Sequence, residues 1–241
     1  MTIRNLIAGG LLACAPLAFA IDLNEGFSLE AKTGIFSDYR TRGISQTQND
    51  PALQGSLTLA HSSGLYAGVW SSNVDFGLGS STRQELDYYA GYFWQIDDEV
   101  TLDTSYIKYV YPRQGNFNYG EYHAELRAWG LLLGGNYSDD FNGAQSMLYS
   151  YVGYTTLLPY ETDLLVRYGL NDYKDPSWFA NDGSNRDQYH EWELKLTRTM
   201  LSLDWSVSYI DTDLSESECA SYLGFRDVCS ATVVASISKG F

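Results

Sequence analysis

From Phe27 onward, apolar and polar side chains alternate with a period of two in twelve separate stretches, the spacing of β-strands with oil on one face and water on the other. The sharpest stripe is Leu86, Tyr88, Ala90, Tyr92 and Trp94, with Glu85, Asp87 and Tyr89 opposite, a period no amphipathic helix has. Earlier in the chain, Phe27, Leu29, Ala31, Thr33 and Ile35 oppose Ser28, Glu30 and Lys32, and Leu53, Leu57 and Leu59 alternate within 52–61. Two stripes compete in 65–76, Leu65, Ala67 and Val69 against Tyr66 and Trp70, and its facing stays open. Further strands are predicted at 100–111, 119–128, 131–138, 145–156, 162–170, 188–199, 201–211 and 231–241. In the last, Val233, Ala235 and Ile237 oppose Thr232, Ser236 and Ser238, with Val234 out of step.

The connections carry a second pattern. Short ones near residues 63, 97, 130, 158 and 200 alternate with longer polar ones near 45, 79, 115, 141, 179 and 221. An even number of strands joined by short turns at one end and long loops at the other is the plan of a transmembrane, antiparallel, up-and-down β-barrel, and that all-β fold is the expectation for residues 21–241. A sandwich has no reason to segregate its loop lengths.

Composition sharpens this reading. Aromatic residues make up 15% of the chain, 20 of them Tyr, yet the mean hydropathy is only −0.25. Beyond residue 20 no apolar run is long enough to span a bilayer as a helix. A barrel reconciles the two, because only alternate residues meet lipid. The first twenty residues differ: Arg4, an apolar run from Leu6 to Phe19, and Ala18-Phe19-Ala20 form a secretory signal peptide with its small-residue cleavage site. Leu11-Leu12-Ala13 before Cys14 is a poorer match to a lipid-attachment site. Removing the signal takes Arg4 from a full-chain net charge of −15, giving −16, which argues against nucleic acid and anionic surfaces as partners. Of the three cysteines, Cys219 and Cys229 remain, and their spacing in an exported chain reads as one loop disulfide.

Two resemblances bear on function. A closing strand that finishes in Phe241 resembles the terminal signal of bacterial outer-membrane barrels. Ser37-Asp38-Tyr39-Arg40, Arg42-Gly43-Ile44-Ser45-Gln46-Thr47, Asp50-Pro51-Ala52-Leu53-Gln54-Gly55 and the run from Gly64 to Phe76 resemble the TorF-type porin family, as do Glu85 to Tyr92 and Tyr137 to Phe141. The match is specific over 37–94 and diffuse beyond. It implies a proteobacterial outer-membrane channel and brings no catalytic residues.

The strand facings put Glu30, Glu85, Asp87, Asp103, Glu121, Glu125, Asp163, Glu191, Glu193 and Asp204 in the lumen with Lys32, Arg83, Arg127, Arg167, Lys195 and His123. An acidic excess in a water-filled pore favours cations or zwitterions over anions. The expected function is passive diffusion of small hydrophilic solutes across the bacterial outer membrane, in contact with its lipid. A twelve-strand backbone diameter of about 24 Å leaves a small aperture once side chains fill it. The bland alternative is a structural or adhesive barrel in which these charges form cross-strand salt bridges. The other rival, a lipid-modifying enzyme, has little support. His61 sits in a turn on the wrong rim for outer-leaflet lipid, His123 has Glu121 and Glu125 beside it but no identifiable nucleophile, and His190 points opposite to Glu191. The acids of 171–187 (Asp172, Asp175, Asp182, Asp187) do not match the calcium-loop template. No catalytic residue, cofactor or metal site is implied. Tyr88, Tyr92, Trp94, Trp192, Trp205 and Tyr209 are expected in or near interfacial girdles.

Overall fold

The structure is a computed structural model that describes residues 21–23, 25–77 and 79–241. The signal-peptide expectation for residues 1–20 lies outside the described residues. Twelve long strands follow one another: β1 (Phe27–Phe36), β2 (Ala52–His61), β3 (Leu65–Asn73), β4 (Gln84–Gln95), β5 (Val100–Val110), β6 (Tyr119–Ala128), β7 (Leu131–Phe141), β8 (Gln145–Leu158), β9 (Thr162–Asp172), β10 (Gln188–Met200), β11 (Leu203–Thr212) and β12 (Thr232–Gly240). Each pairs antiparallel with the next, and β12 pairs with β1 from Ser236↔Phe36 to Gly240↔Lys32, so the sheet is closed. Closure satisfies the ladder all the way round and leaves no edge.

Alternation decides the faces. Leu53, Ile35, Val233 and Leu157 are more than 60% exposed on the outside, and the outward apolar side chains of the other strands are exposed to a lesser degree. An apolar surface of this extent is built for lipid rather than water. The side chains between them face inward and are mostly polar or aromatic, with a few aliphatics such as Ile107, Leu132 and Leu165. In β3, Leu65 and Val69 turn outward while Tyr66 and Trp70 are buried inside, which settles the competing stripes. Val234 is buried on the lumen side beside Ser236 and Ser238, so β12 keeps its alternation.

Short turns occupy one end. Two of them, Trp129-Gly130 and Leu201-Ser202, hold both residues at positive φ, the mirror-image turn whose twist matches a hairpin. At the opposite end one connection departs from expectation: β7 continues through Phe141, so 142–144 is a tight turn and not a long loop. Asp140 helps to hold this extension, because its carboxylate accepts from the Gly120 amide of β6 at 2.7 Å and from the Lys108 ammonium of β5 at 3.0 Å beyond the end of the β6–β7 ladder.

The last connection carries helix α1 (Glu216–Leu223), started by a Ser215–Glu218 capping box and ended by Gly224 at φ 81°. The Cys219–Cys229 disulfide staples it, with Cα atoms 6.0 Å apart. Tyr222 of α1 packs on Trp178 at 4.7 Å between ring centroids, and Trp178 is completely buried. Replacing both cysteines with serine loosens this segment by about 3 kcal/mol, the entropy of a loop that short. Limited proteolysis should then cut within 213–231 while the barrel stays resistant.

Candidate functional site: a hairpin anchored across the lumen

The connection from β1 to β2 does not stay outside. Residues Arg40–Thr41 and Ile44–Ser45 pair as a miniature hairpin whose tip, Arg42 and Gly43, has φ of 50° and 83°. A Cβ on Gly43 would lie 2.4 Å from Thr212 Cγ2, so only glycine lets the tip press against the wall of β10 and β11.

The base of the hairpin is bolted by its own polar groups. Asp38 takes Arg40 Nε at 2.7 Å, Ser45 Oγ at 2.5 Å and Thr47 Oγ1 at 2.9 Å. Arg40 also donates to the carbonyl of Ser230 at 2.9 Å, tying the hairpin to the disulfide-stapled segment. Tyr39 donates to Glu85 Oε1 at 3.0 Å. Burial, reinforced by the charges of Glu85 and Asp87, pushes the Tyr39 phenol well above its ordinary pKa, so it remains a donor.

The tip is anchored on the far side of the ring. Arg42 Nη2 lies 2.7 Å from both carboxylate oxygens of Glu121 on β6, five strands from β1. Its guanidinium rests 4.8 Å from the Tyr149 ring centroid, and Tyr189 donates to its carbonyl at 2.9 Å. Glu121 is fully buried and also accepts from Tyr109 at 3.0 Å and Asn136 at 3.1 Å. Because the pair is buried and fully hydrogen-bonded, either partner alone would be an uncompensated charge.

The hairpin divides the interior in two. Below it, a cavity of about 160 Å³ runs between Arg127, Arg167, Lys195, Glu125 and Glu193. Above it, a cavity of about 490 Å³ opens toward the long loops.

The strand residues expected in the lumen turn inward. Glu85, Asp87, Asp103, Glu121, His123, Glu125 and Glu191 are at most 5% exposed, and Glu30, Lys32, Arg127, Asp163, Arg167, Glu193, Lys195 and Asp204 are partly buried on the same face. Arg83 is placed differently. It precedes β4, exposed at the mouth, 3.5 Å from Asp75. Some of the charges inside are paired: Arg127 meets Glu125 at 2.5 Å along β6, and Arg167 of β9 meets Glu191 at 3.3 Å and Glu193 at 3.0 Å on β10. Glu85 and Asp87 form no ion pair among the described residues, and neither oxygen of Asp87 has a hydrogen-bond partner there.

The histidines make local contacts. His61 and Ser63 share a 2.8 Å hydrogen bond in the β2–β3 turn, buried His123 faces Asn136 at 3.3 Å, and His190 stacks on Tyr168 at 5.2 Å. Among the described residues no group of three or more His, Cys, Asp or Glu is arranged to hold a metal ion.

Sequence reasoning missed Asp38, Tyr39, Arg40 and Arg42 as interior groups, along with Tyr149, on which Arg42 rests, and Asn136, which donates to Glu121. The one available signal was two arginines within three residues of each other, in a loop of an acid-rich chain.

A closed barrel, apolar outside and polar inside, with a loop folded through it, defines a porin-like class of membrane barrel. The chain belongs to the family described as "Bacterial protein of unknown function (Gcw_chp)", which matches residues 21–241. Among solved structures it is similar to the NanC porin, with TM-score 0.53, 14% identity, and coverage of 87% of this chain and 97% of that one. A structure solved in work on in-meso crystallization of membrane proteins gives TM-score 0.51 at 9% identity, covering 88% of this chain and 83% of that one. The KdgM porin gives 0.49 at 8% identity, covering 88% and 98%. At such identities the likeness is one of fold. No curated protein matches the chain.

Proposed function

We propose that this protein is a bacterial outer-membrane channel, of the TorF type its sequence resembles, that passes small hydrophilic solutes by diffusion with a mild preference for cations. The observation that carries the reading is the anchored hairpin: it narrows a polar, lipid-coated barrel to a constriction with open space on either side. A purely structural barrel has no need to hold a loop across its centre with a buried arginine. The preference for cations rests on the excess of acidic over basic side chains on the inward face, Glu85 and Asp87 among them.

Single-channel recording in a salt gradient tests both parts. The wild type should conduct, with a reversal potential of cation-selective sign, and Glu85→Gln/Asp87→Asn should move that potential toward zero. Absence of current would leave the non-conducting structural barrel as the reading, and anion selectivity would remove the role given to the two acids.

A further inference from the structure

The cavity above the hairpin has a wall unlike that of the lumen below. Rings dominate it: Phe76, Phe117 and Phe141 are only partly buried and face the space, backed by Tyr111, Tyr119 and Tyr173. The three phenylalanines meet their ring neighbours at interplanar angles of 59 to 85°, making a faceted bowl rather than a pair of parallel plates. Between the rings stand amides, Gln46, Gln48, Gln114 and Asn142. Formal charge is nearly absent. The charged groups on the described wall are Arg42, held by Glu121, and Asp75, facing Arg83.

From this we infer that the outer cavity is a binding site for neutral saccharides, filled before a solute meets the constriction. The inference rests on the channel reading for its purpose, though not for its chemistry. A puckered sugar ring has an apolar C–H face that lies on an aromatic ring and a belt of hydroxyls that both donate and accept, which is what carboxamides offer in return. A wall whose charges are already paired gains nothing from an ionic ligand, since capturing one would mean breaking Arg42 from Glu121 or Asp75 from Arg83. The size agrees, since about 490 Å³ falls within the roughly 300–1,000 Å³ of small-molecule sites. The faceted walls favour a puckered ring over a flat heterocycle, which needs parallel faces to slide between.

Binding can be read without conductance. The probes are maltose and cellobiose, with glucuronate, choline and thymidine for comparison, titrated into the detergent-solubilised full chain by calorimetry and by tryptophan fluorescence. Trp178 lies 5.8 Å from Tyr173 on the wall and reports on it. The expected result is saturable binding of a neutral disaccharide, weakened about tenfold, or about 1.4 kcal/mol, in Phe76→Ala/Phe141→Ala. Tyr88→Ala, on the lipid face, leaves it unchanged. Circular dichroism and resistance to unfolding by heat show that each variant is still a folded barrel, and Phe76→Leu/Phe141→Leu, which keeps bulk but loses the ring, repeats the test if the alanine pair does not fold. No saturable binding of either disaccharide overturns the inference, as does tighter binding of glucuronate, choline or thymidine. A protein that conducts but binds no disaccharide loses the saccharide site alone, whereas one that binds disaccharide without conducting loses the channel and keeps the site.

Discussion

Arg42→Met lowers the stability of the folded barrel by about 3–5 kcal/mol, read from urea unfolding in micelles or vesicles, because it strands an ionised Glu121 where water does not reach. Most of that loss returns in Arg42→Met/Glu121→Gln, since a neutral amide oxygen still accepts from Tyr109 and Asn136. The double variant also frees the hairpin tip from β6, so its single-channel conductance rises above that of the wild type. Equal instability of the single and double variants would show that the ion pair is not what holds the tip. Unchanged conductance in the double variant would show that the tip is not the constriction.

Val207→Arg costs about 2–4 kcal/mol on refolding into lipid vesicles, because Val207 sits at the middle of β11 with its side chain half exposed to the outside. Were the exterior in water, the same substitution would stay within about 0.5 kcal/mol. The size of this one number therefore separates a lipid-facing wall from a solvated one.

The period-two pattern made the strands and most of their faces legible, because a barrel wall asks only that alternate residues differ in polarity. It faltered where one side chain satisfies both environments. Tyr66 and Trp70 are apolar enough for lipid, and what draws them inward lies on other segments: the Tyr66 phenol donates to Asp103 at 2.6 Å, and the Trp70 ring lies 5.4 Å from that of Tyr39. Asp139 and Asp140 look like loop residues, yet Asp140 is held by a lysine and an amide from neighbouring strands. The constriction was the least legible part. Local composition marks 40–51 as polar and turn-rich, which describes an inward and an outward loop equally well. The difference is made by Glu121, 79 residues further along the chain. The charges that the hairpin brings into the lumen, Asp38, Arg40 and Arg42, were illegible for the same reason, since they come from outside the strands.

The seam between β12 and β1 joins Phe36 to Ser236 and exchanges backbone hydrogen bonds between Ala31 and Phe241 at 2.8 and 3.2 Å. Contacts so remote in sequence form late, after nearer pairings have reduced the entropy of closing the loop. The hairpin leaves β1 at the mouth of the ring, and its Arg42–Glu121 anchor ties the strand at this seam to β6, so it can form only once β6 stands opposite β1. The loop is therefore a strut between opposite walls, set across the ring rather than along it.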